Sequence, residues 1–374
     1  MGSFTDSRLV FQAEWYDQNA ELVRRYQFMF YPVDNTVEMF DVKNRRLFLK
    51  RSAVPNITED KLYVGSVVNV NSRQLTLTGY GDNFTEKTLA TRNEKTLAII
   101  KPDAVGKVGP ILERVCREGI KFCNAKMVNM SKADAASFYA EHSGKHFFDD
   151  LIEFIVSGPV IALELMGDDV IARWNKIIGP NNASEARSKV PQSLRALYGS
   201  NGTANACHGS ENPAAAAREI DFFFGAGRGL SGTARLSGST LCLVKPHAIE
   251  NGNIGKIISM ITDNGFAISA MEMFNLDRAN AEEFLEIYKG VVTEYSQMVT
   301  ELCSGPCLAI EIVGQHKDFR DFVGPADPEI AKHLRPKTVR AKFGQDKIFN
   351  SVHCTDLPED VGLEVEYFFR ILSQ

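Results

Sequence analysis

Two segments of this chain carry the same ordered set of chemically informative residues. The set comprises a lysine, the serine of a Ser-Gly-Pro turn, an arginine, an asparagine, a histidine and a glutamate, at Lys101, Ser157, Arg195, Asn205, His208 and Glu219, and again at Lys245, Ser304, Arg340, Asn350, His353 and Glu364. The offset is 144 positions between the lysines (245 − 101) and 145 between the histidines (353 − 208). Chance does not keep such an order at one offset, so the chain contains a duplicated domain.

The repeated residues share a chemistry. Lysine and arginine bind phosphate, asparagine donates hydrogen bonds, and neutral imidazole is a nucleophile near pH 7. Phosphoryl transfer requires cations that are positioned in advance of the reaction. The repeat therefore predicts two phosphate-handling sites rather than a solenoid scaffold.

Each repeat also shows the same order of secondary-structure signals. An apolar strand at 96–100 or 240–244 leads into Lys-Pro, and the proline ends the strand with the lysine at its tip. A helix follows at 109–118 or 255–264, then a second strand, a helix pair, a third strand and further helices. This order predicts an α+β fold with two tandem copies of a split βαβ, ferredoxin-like α/β sandwich.

The segment before the repeats has a different pattern. Residues 26–31 form an aromatic run that ends at Pro32, and residues 37–42 alternate apolar with polar side chains. The pair Asp34-Asn35 between them is a hairpin signal. We therefore predict a small all-β, PH-like module ahead of the two tandem domains.

The domain boundaries follow from these patterns. The β module covers 1–92, the first repeat domain 93–225 and the second repeat domain 239–374. Residues 226–238 are rich in glycine and serine and form the linker between the repeats. We also predict that the two repeat domains pack against each other within one chain.

Composition limits the partners. The 42 basic and 47 acidic residues give a formal net charge of −5 without a basic stripe, which argues against a nucleic-acid partner or a nuclease activity. No apolar run reaches membrane-spanning length, and residues 1–6 show neither a secretory signal nor a myristoylation motif. The seven cysteines lack paired CxxC spacing, so we expect reduced thiols in a cytosolic compartment.

The run 205–210, Asn-Ala-Cys-His-Gly-Ser, resembles the active-site signature of nucleoside diphosphate kinases. The Lys-Pro-Asp strand end at 101–103 and the Ser-Gly-Pro turn at 157–159 match that family in order. The resemblance covers roughly 94–224 and again 238–371, which is most of the chain. It implies a phosphotransferase that moves the γ-phosphoryl group of a nucleoside triphosphate to a nucleoside diphosphate through a phosphohistidine.

The resemblance assigns roles in the first repeat domain. His208 is the implied catalytic nucleophile, and Glu219 is the residue that orients it. The implied nucleotide and phosphate ligands are Lys101, Tyr139, Phe147, Asn181, Arg195 and Asn205. Phe147 matches the aromatic residue that stacks on the base. Mg²⁺ is expected to bind with the nucleotide phosphates, and no side chain is predicted as a metal ligand.

The second repeat domain keeps this framework with departures. Its implied site residues are the catalytic pair His353 and Glu364 and the nucleotide ligands Lys245, Arg320, Arg340 and Asn350. Ala326 replaces the phosphate-site threonine of the family, and Cys354 follows the histidine in place of glycine, where its β-carbon is expected to crowd the approach to His353. The first domain departs too, because Asn175 replaces the second phosphate-binding arginine. We therefore expect weak activity confined to the first domain.

The β module resembles the small domain repeated in axonemal EF-hand proteins, through residues 14–17, 28–32 and 38–43. One such module followed by two kinase-like domains is the architecture of a ciliary branch of the family. That resemblance implies a cytoplasmic, cytoskeletal protein of the cilium or flagellum axoneme, with the centrosome and spindle as further locations. The implied partners are tubulin and other axonemal proteins of doublet microtubules, and the gamma-tubulin ring complex.

Two interpretations of function stay open. In the first, the chain is a microtubule inner protein of the axoneme that retains kinase chemistry, with ATP, GTP and nucleoside diphosphates as ligands. In the alternative, it is a purely structural microtubule-binding protein whose kinase folds are inactive. The set of Lys101, Arg195, Asn205 and His208 favours the first, and the altered second site favours the alternative.

Overall fold

The computed structural model of the protein describes residues 7–17, 20–89, 92–225, 227 and 229–373. The chain divides into two compact units, Met1–Asn93 and Glu94–Gln374. Residues 1–6, which bear on the predicted lack of a signal, residues 90–91 near the predicted end of the module, residues 226 and 228 of the predicted linker, and residue 374 lie outside the described residues.

The first unit is an antiparallel sheet with one short helix. Its elements are β1 (Leu9–Asp17), β2 (Leu22–Tyr31), β3 (Thr36–Asp41), β4 (Arg46–Ala53), β5 (Val67–Val70), β6 (Arg73–Tyr80) and helix α1 (Asn83–Leu89). The strand order is β4-β3-β2-β1-β6-β5, so β4 and β5 are the two edges. Fully buried Phe11, Phe28 and Phe30 form its core. The sequence pattern misses α1, which starts where the Asp82 carboxylate accepts a hydrogen bond from the Thr85 N–H at 2.7 Å.

The second unit contains both repeats. The first repeat has β7 (Glu94–Ile100), α2 (Val108–Arg117), β8 (Lys121–Asn129), α3 (Lys132–Phe138), α4 (Phe148–Ile155), β9 (Val160–Gly167), α5 (Val170–Ile178), α6 (Ala183–Lys189), α7 (Leu194–Tyr198), β10 (Cys207–Gly209) and α8 (Pro213–Phe224). After a short β11 (Ser231–Gly232), the second has β12 (Ser239–Val244), α9 (Pro246–Glu250), α10 (Ile254–Asp263), β13 (Ala267–Phe274), α11 (Arg278–Phe284), α12 (Tyr295–Leu302), β14 (Cys307–Val313), α13 (His316–Val323), α14 (Pro328–Leu334), α15 (Val339–Phe343), β15 (Val352–Cys354) and α16 (Val361–Glu366), and it ends in a π-helical segment, Tyr367–Leu372.

One sheet runs through both repeats. Its strand order is β10-β7-β9-β8-β13-β14-β12-β15, so each repeat contributes four strands in mirrored order, and β11 pairs with β8. Within the first repeat the order is fourth, first, third, second strand, which is the predicted split βαβ arrangement. The predicted α+β class, with two tandem domains behind a β module, is confirmed.

The two repeats pack against each other, as predicted. At the sheet junction Lys126 of β8 and Glu272 of β13 are register partners and form a 2.8 Å ion pair. Helices α2 and α10 approach closely through glycines, because a β-carbon at Gly109 would lie 2.6 Å from the Ser259 backbone nitrogen. Buried apolar side chains of both repeats form one shared core on this side of the sheet.

Helices cover both faces of the sheet in each repeat. In β7, Ala98 and Ile100 belong to the core shared by the repeats, whereas Leu97 and Ile99 pack on the opposite face, under α3, α4 and α8. Strand β7 is therefore buried on both sides, and its carboxyl end is one of the places where polar side chains reach a cavity. No helix among the described residues is long and apolar enough to cross a bilayer.

Candidate functional site

The first repeat domain carries its histidine on the short strand β10. This strand pairs with β7 so that His208 lies opposite Ile99. The residue before β10, Ala206, is in the left-handed region with φ of 67°, which costs a non-glycine residue roughly 1 kcal/mol or more. The Asp103 carboxylate accepts a hydrogen bond from the Ala206 N–H at 3.1 Å. The strained turn that directs the chain into β10 is thus held by the acid of the Lys-Pro-Asp motif.

His208 and Glu219 form a hydrogen-bonded pair. The distance from His208 Nε2 to Glu219 Oε2 is 2.8 Å, and the Ser210 hydroxyl donates to the same oxygen at 2.8 Å. Burial acts to raise the pKa of Glu219, but His208, then Ser210 and Arg218, outweigh it and hold this pKa below its ordinary value. An ionised carboxylate only accepts hydrogen bonds, so Nε2 carries the proton and Nδ1 keeps a free lone pair.

Two buried cations lie beside this pair. Lys101 Nζ donates to Asn205 Oδ1 at 2.7 Å. Burial, and then the charge of Arg195, lower the pKa of Lys101 to about 8. Arg195 donates from Nε and one terminal nitrogen to the Cys207 carbonyl, at 3.2 and 3.0 Å, and from the other to the Gly179 carbonyl at 2.7 Å. A guanidinium has more N–H groups than these three hydrogen bonds use, so Arg195 can hold the two carbonyls and still donate to a ligand.

These side chains line one cavity of about 860 Å³, within the range of about 300–1,000 Å³ typical of ligand sites. All the site residues predicted for the first domain contribute to its wall: Lys101, Tyr139, Phe147, Asn181, Arg195, Asn205, His208 and Glu219. The Tyr139 ring lies 6.1 Å from the His208 ring, and its buried hydroxyl has no hydrogen-bond partner among the described residues. Another part of the wall is half-buried Phe147, whose ring contacts those of His142 and His146. The cavity thus combines cations, an imidazole and an aromatic surface.

Both repeat domains match a known family along nearly their whole length. Residues 94–228 and 238–372 match nucleoside diphosphate kinase, and residues 3–91 match the nucleoside diphosphate kinase 7 N-terminal PH domain. The chain belongs to the nucleoside diphosphate kinase family. The resemblance inferred from the motifs is therefore confirmed for both kinase domains, and the predicted PH-like module is confirmed as the amino-terminal domain of the nucleoside diphosphate kinase 7 type.

Relatives share the complete architecture. The chain is 54% identical over 370 residues to nucleoside diphosphate kinase homolog 7 of Rattus norvegicus, and equally to that of Mus musculus, covering 98% of this chain and 94% of each relative. Among solved structures, the Aquifex aeolicus nucleoside diphosphate kinase is 42% identical to this chain. The match spans 37% of this chain and 99% of the Aquifex chain, with a TM-score of 0.35.

The second kinase domain repeats the hydrogen bonds that position the histidine. His353 Nε2 lies 2.9 Å from Glu364 Oε2, and the Thr355 hydroxyl donates to the same oxygen at 2.8 Å. Arg340 donates to two backbone carbonyls, at 3.1 and 3.0 Å, as Arg195 does in the first domain. The catalytic pair predicted for this domain is therefore brought together.

One substitution in the second domain is compensated locally. His247 stands where the first domain has Asp103, and its Nε2 accepts a hydrogen bond from the N–H of left-handed Ser351 at 3.1 Å. Because Nε2 accepts, the ring proton is on Nδ1, which lies 2.5 Å from Glu301 Oε1. The lone pair of a neutral imidazole thus replaces a carboxylate in holding the strained turn before β15.

The second cavity is smaller, at about 430 Å³. Four residues predicted for this site line it, namely Lys245, Arg340, Asn350 and His353, whereas Arg320 and Glu364 do not. Arg320 pairs with Asp356 at 3.2 Å, and its side chain is 52% exposed. Lys245 donates to the Ile348 carbonyl at 2.9 Å, and the buried Asn350 Oδ1 has no partner among the described residues. Leu285 follows α11 in the position that Tyr139 has after α3, so the hydroxyl at this position is lost, and the tyrosine that lines the second cavity is Tyr288, whose hydroxyl donates to Asp356.

The glycine after His208 is required by packing. A β-carbon at Gly209 would lie 2.6 Å from Trp174 Cδ1. In the second domain the corresponding helix position is Phe319, and Cys354 is fully buried in the core beneath the sheet. The predicted crowding of His353 by Cys354 is therefore not found.

Sequence patterns alone do not find two positioning residues in the first domain. Trp174 Nε1 donates to the carbonyl of His208 at 3.0 Å. Asn175, which replaces the second phosphate-binding arginine, donates its amide to the carbonyls of Ile171 and Ser210, at 3.0 and 2.8 Å. Both side chains hold the backbone around the histidine. An apolar-faced helix containing tryptophan predicts only a core residue, so no sequence signal marked this role.

Proposed function

We propose that the first kinase domain transfers the γ-phosphoryl group of a nucleoside triphosphate to a nucleoside diphosphate through a phosphohistidine at His208. The observation that carries this proposal is the His208–Glu219 pair, 2.8 Å apart, in a cavity that also holds Lys101 and Arg195. The pair fixes one imidazole tautomer, and the cavity places two cations beside it. Nucleophile and charge stabilisation, the two requirements of phosphoryl transfer, meet at one place.

The reaction balances in two steps. The Nδ1 lone pair of His208 attacks the γ-phosphorus, the bond from that phosphorus to the bridging oxygen breaks, and the nucleoside diphosphate leaves with the electron pair. An oxygen of a second nucleoside diphosphate then attacks the phosphorus, the P–N bond breaks, and the lone pair returns to Nδ1. The proton stays on Nε2 throughout, and the Glu219 carboxylate balances the positive charge of the ring.

The surrounding groups suit the charge that develops. Lys101 and Arg195 are buried, so their attraction for phosphate oxygens is weakly screened, and neither has to move into place. The unpartnered hydroxyl of Tyr139 supplies a further donor close to the imidazole. Burial raises the pKa of Tyr139 well above its usual value, so the hydroxyl keeps its proton.

Magnesium fits this site only as a companion of the nucleotide. No group of three or more His, Cys, Asp or Glu side chains within the described ranges is arranged to hold a metal ion. In this cavity Lys101, Arg195 and Asn205 supply donors for phosphate oxygens, and the Glu219 carboxylate is engaged by His208 and Ser210. When bound, Mg²⁺ supplies charge that offsets that of the phosphates.

We also propose the cellular setting as the axoneme of cilia or flagella, with tubulin and other proteins of doublet microtubules as partners and the gamma-tubulin ring complex as a further partner. Support comes from the amino-terminal module, whose sequence resembles a domain of axonemal proteins. Co-sedimentation of the full chain with microtubules tests this part. A chain that stays in the supernatant, while a known microtubule-binding protein pellets, contradicts it.

The alternative is a purely structural protein whose kinase folds are inactive. The second domain favours it, because its cavity is half as large and its Arg320 pairs with Asp356 and does not line that cavity. Steady-state transfer from ATP to GDP by the full chain decides between the two. We expect turnover that falls by about 10³-fold or more in His208→Ala, with His353→Ala as the matched control. Folded chain without turnover supports the alternative.

A further inference from the structure

A strongly basic stretch lies at one edge of the amino-terminal module. Between residues 43 and 51 the sequence has five cations and no acidic residue: Lys43, Arg45, Arg46, Lys50 and Arg51. They occupy the turn after β3 and the strand β4. The nearly balanced charge of the whole chain conceals this local excess, which the sequence pattern alone did not single out.

Strand β4 is a long, open edge. Among the described residues it pairs with β3 alone, and it is eight residues long, whereas β5 at the other edge has four. Most of its residues are exposed. An uncovered edge presents a row of backbone donors and acceptors that pair readily with another strand, and proteins normally shorten or cover such edges.

Charged side chains on an edge strand can serve to prevent pairing with other chains, but β4 also exposes apolar side chains. Leu47 and Phe48 are 45% and 37% exposed, and charge protection alone gives no reason for apolar groups there. Arg51 is engaged within the module, because it pairs with Asp34 at 2.8 Å and lies 3.8 Å above the Tyr31 ring. The cations that form no ion pair within the described residues are Lys43, Arg45, Arg46 and Lys50.

The register of β4 against β3 shifts twice, between Leu47 and Leu49 and between Leu49 and Ser52, so the side chains of β4 do not alternate strictly between the two faces. Within this stretch the Phe48 ring packs against the Tyr26 ring, with 4.7 Å between centroids, and against the guanidinium of Arg73 at 5.1 Å. The exposed cations Arg46 and Lys50 therefore lie two positions on either side of an apolar ring. Cross-strand neighbours interact most favourably when they are opposite in charge or both apolar.

We propose that β4 is a docking edge for an extended acidic segment of a partner protein, which adds to the sheet as a further strand. The matching segment carries acidic residues on both sides of an apolar residue, as β4 carries Arg46 and Lys50 on both sides of Phe48. A second copy of this chain does not fit, because it would bring five cations against five. Nucleic acid matches the charge but supplies no strand of backbone donors and acceptors. This inference is independent of phosphoryl transfer.

Fluorescence anisotropy of the full chain with a labelled peptide tests the proposal. The probe has the core Glu-Thr-Val-Thr-Glu, and its twin is N-methylated at alternate backbone nitrogens, which removes strand pairing but keeps the charge. We expect saturable binding that weakens with salt, and binding of the twin that is weaker by about tenfold. Equal binding of the twin, no binding of the probe, or preference for a single-stranded RNA of equal charge overturns the proposal.

A charge swap locates the site. In Arg46→Glu/Lys50→Glu we expect about tenfold weaker binding of the probe and recovered binding of a peptide with the core Lys-Thr-Val-Thr-Lys. Recovery shows that the module is still folded. The matched control is Lys87→Glu/Lys317→Glu, two exposed lysines outside β4 with the same change in net charge. An equal loss in the control, or no recovery with the swapped peptide, contradicts docking at β4.

Discussion

The two kinase domains share one internal framework and differ in what faces the cavity. In both, a glutamate lies within 2.9 Å of the histidine, a hydroxyl donates to that glutamate at 2.8 Å, and an arginine binds backbone carbonyls. The cavities, however, measure about 860 and 430 Å³. Tyr139 and Phe147 line the first, whereas Leu285 and Val292 line the second.

The comparison separates two kinds of residue within an active site. Groups such as Glu364, Thr355 and Arg340 satisfy buried polar atoms around β15, so their loss would destabilise the fold whether or not the domain is catalytic. Groups that serve only the ligand are free to change. Retention of the histidine and its glutamate is therefore weak evidence for activity in the second domain, and the cavity wall is the better criterion.

The largest expected difference between the domains comes from the buried arginines. We expect Arg195→Met to reduce phosphoryl transfer by about 10²-fold or more, because it removes a cation that stabilises transferred phosphate. Arg340→Met removes the same backbone hydrogen bonds from the second domain and serves as the structural control. Steady-state transfer rates measure both. Equal losses would show that the arginines act through the fold rather than through the ligand.

Packing at the residue after the histidine gives the next largest effect. Gly209→Cys, the residue of the second domain, should lower the free energy of unfolding by about 2 kcal/mol, because its β-carbon meets Trp174 at 2.6 Å. Combined with Trp174→Phe, which copies Phe319, the cost should be smaller than the two single costs together by about 1 kcal/mol. Denaturant unfolding of the four proteins measures this coupling, and strict additivity would contradict the packing account.

The tyrosine hydroxyls of the two sites should behave in opposite ways. Tyr139→Phe removes a hydroxyl without a partner among the described residues, so we expect transfer to fall about tenfold with no loss of stability. Tyr288→Phe breaks a hydrogen bond to Asp356 in the second site, so stability should fall by about 1 kcal/mol while transfer is unchanged. Activity assays and thermal unfolding read out both. A destabilised but fully active Tyr139→Phe would refute the assignment.

The smallest expected effect is in the pH profile. Burial lowers the pKa of Lys101 to about 8 and that of Lys245 to about 7. A lysine loses its charge as pH rises through its pKa, so kcat/KM should fall by about fourfold between pH 7 and 8.5 if the first domain is active. Lys101→Arg, which stays charged, should remove this fall. A decline centred near pH 7 would instead point to the second domain.

The sequence predicted the duplication and the fold class because repeated motifs and strand-ending Lys-Pro pairs are local signals, and it predicted the first cavity wall through the resemblance to the kinase family. It did not predict the roles of Trp174 and Asn175, since these depend on which backbone carbonyls a helix meets across the sheet. The predicted crowding of His353 by Cys354 was wrong, because Cys354 packs in the core that also contains Phe319 of α13. Arg320 was predicted as a phosphate ligand from its position, but an acidic neighbour, Asp356, pairs with it.

The measurement that tests the account most directly is to map acid-labile phosphate after the intact chain meets ATP. The account predicts phosphohistidine at His208 alone, discharged by added nucleoside diphosphate, with none at His353. Phosphate at His353 in comparable amount, or on neither histidine in a folded chain that binds nucleotide, would contradict the claim that the first cavity alone supports transfer.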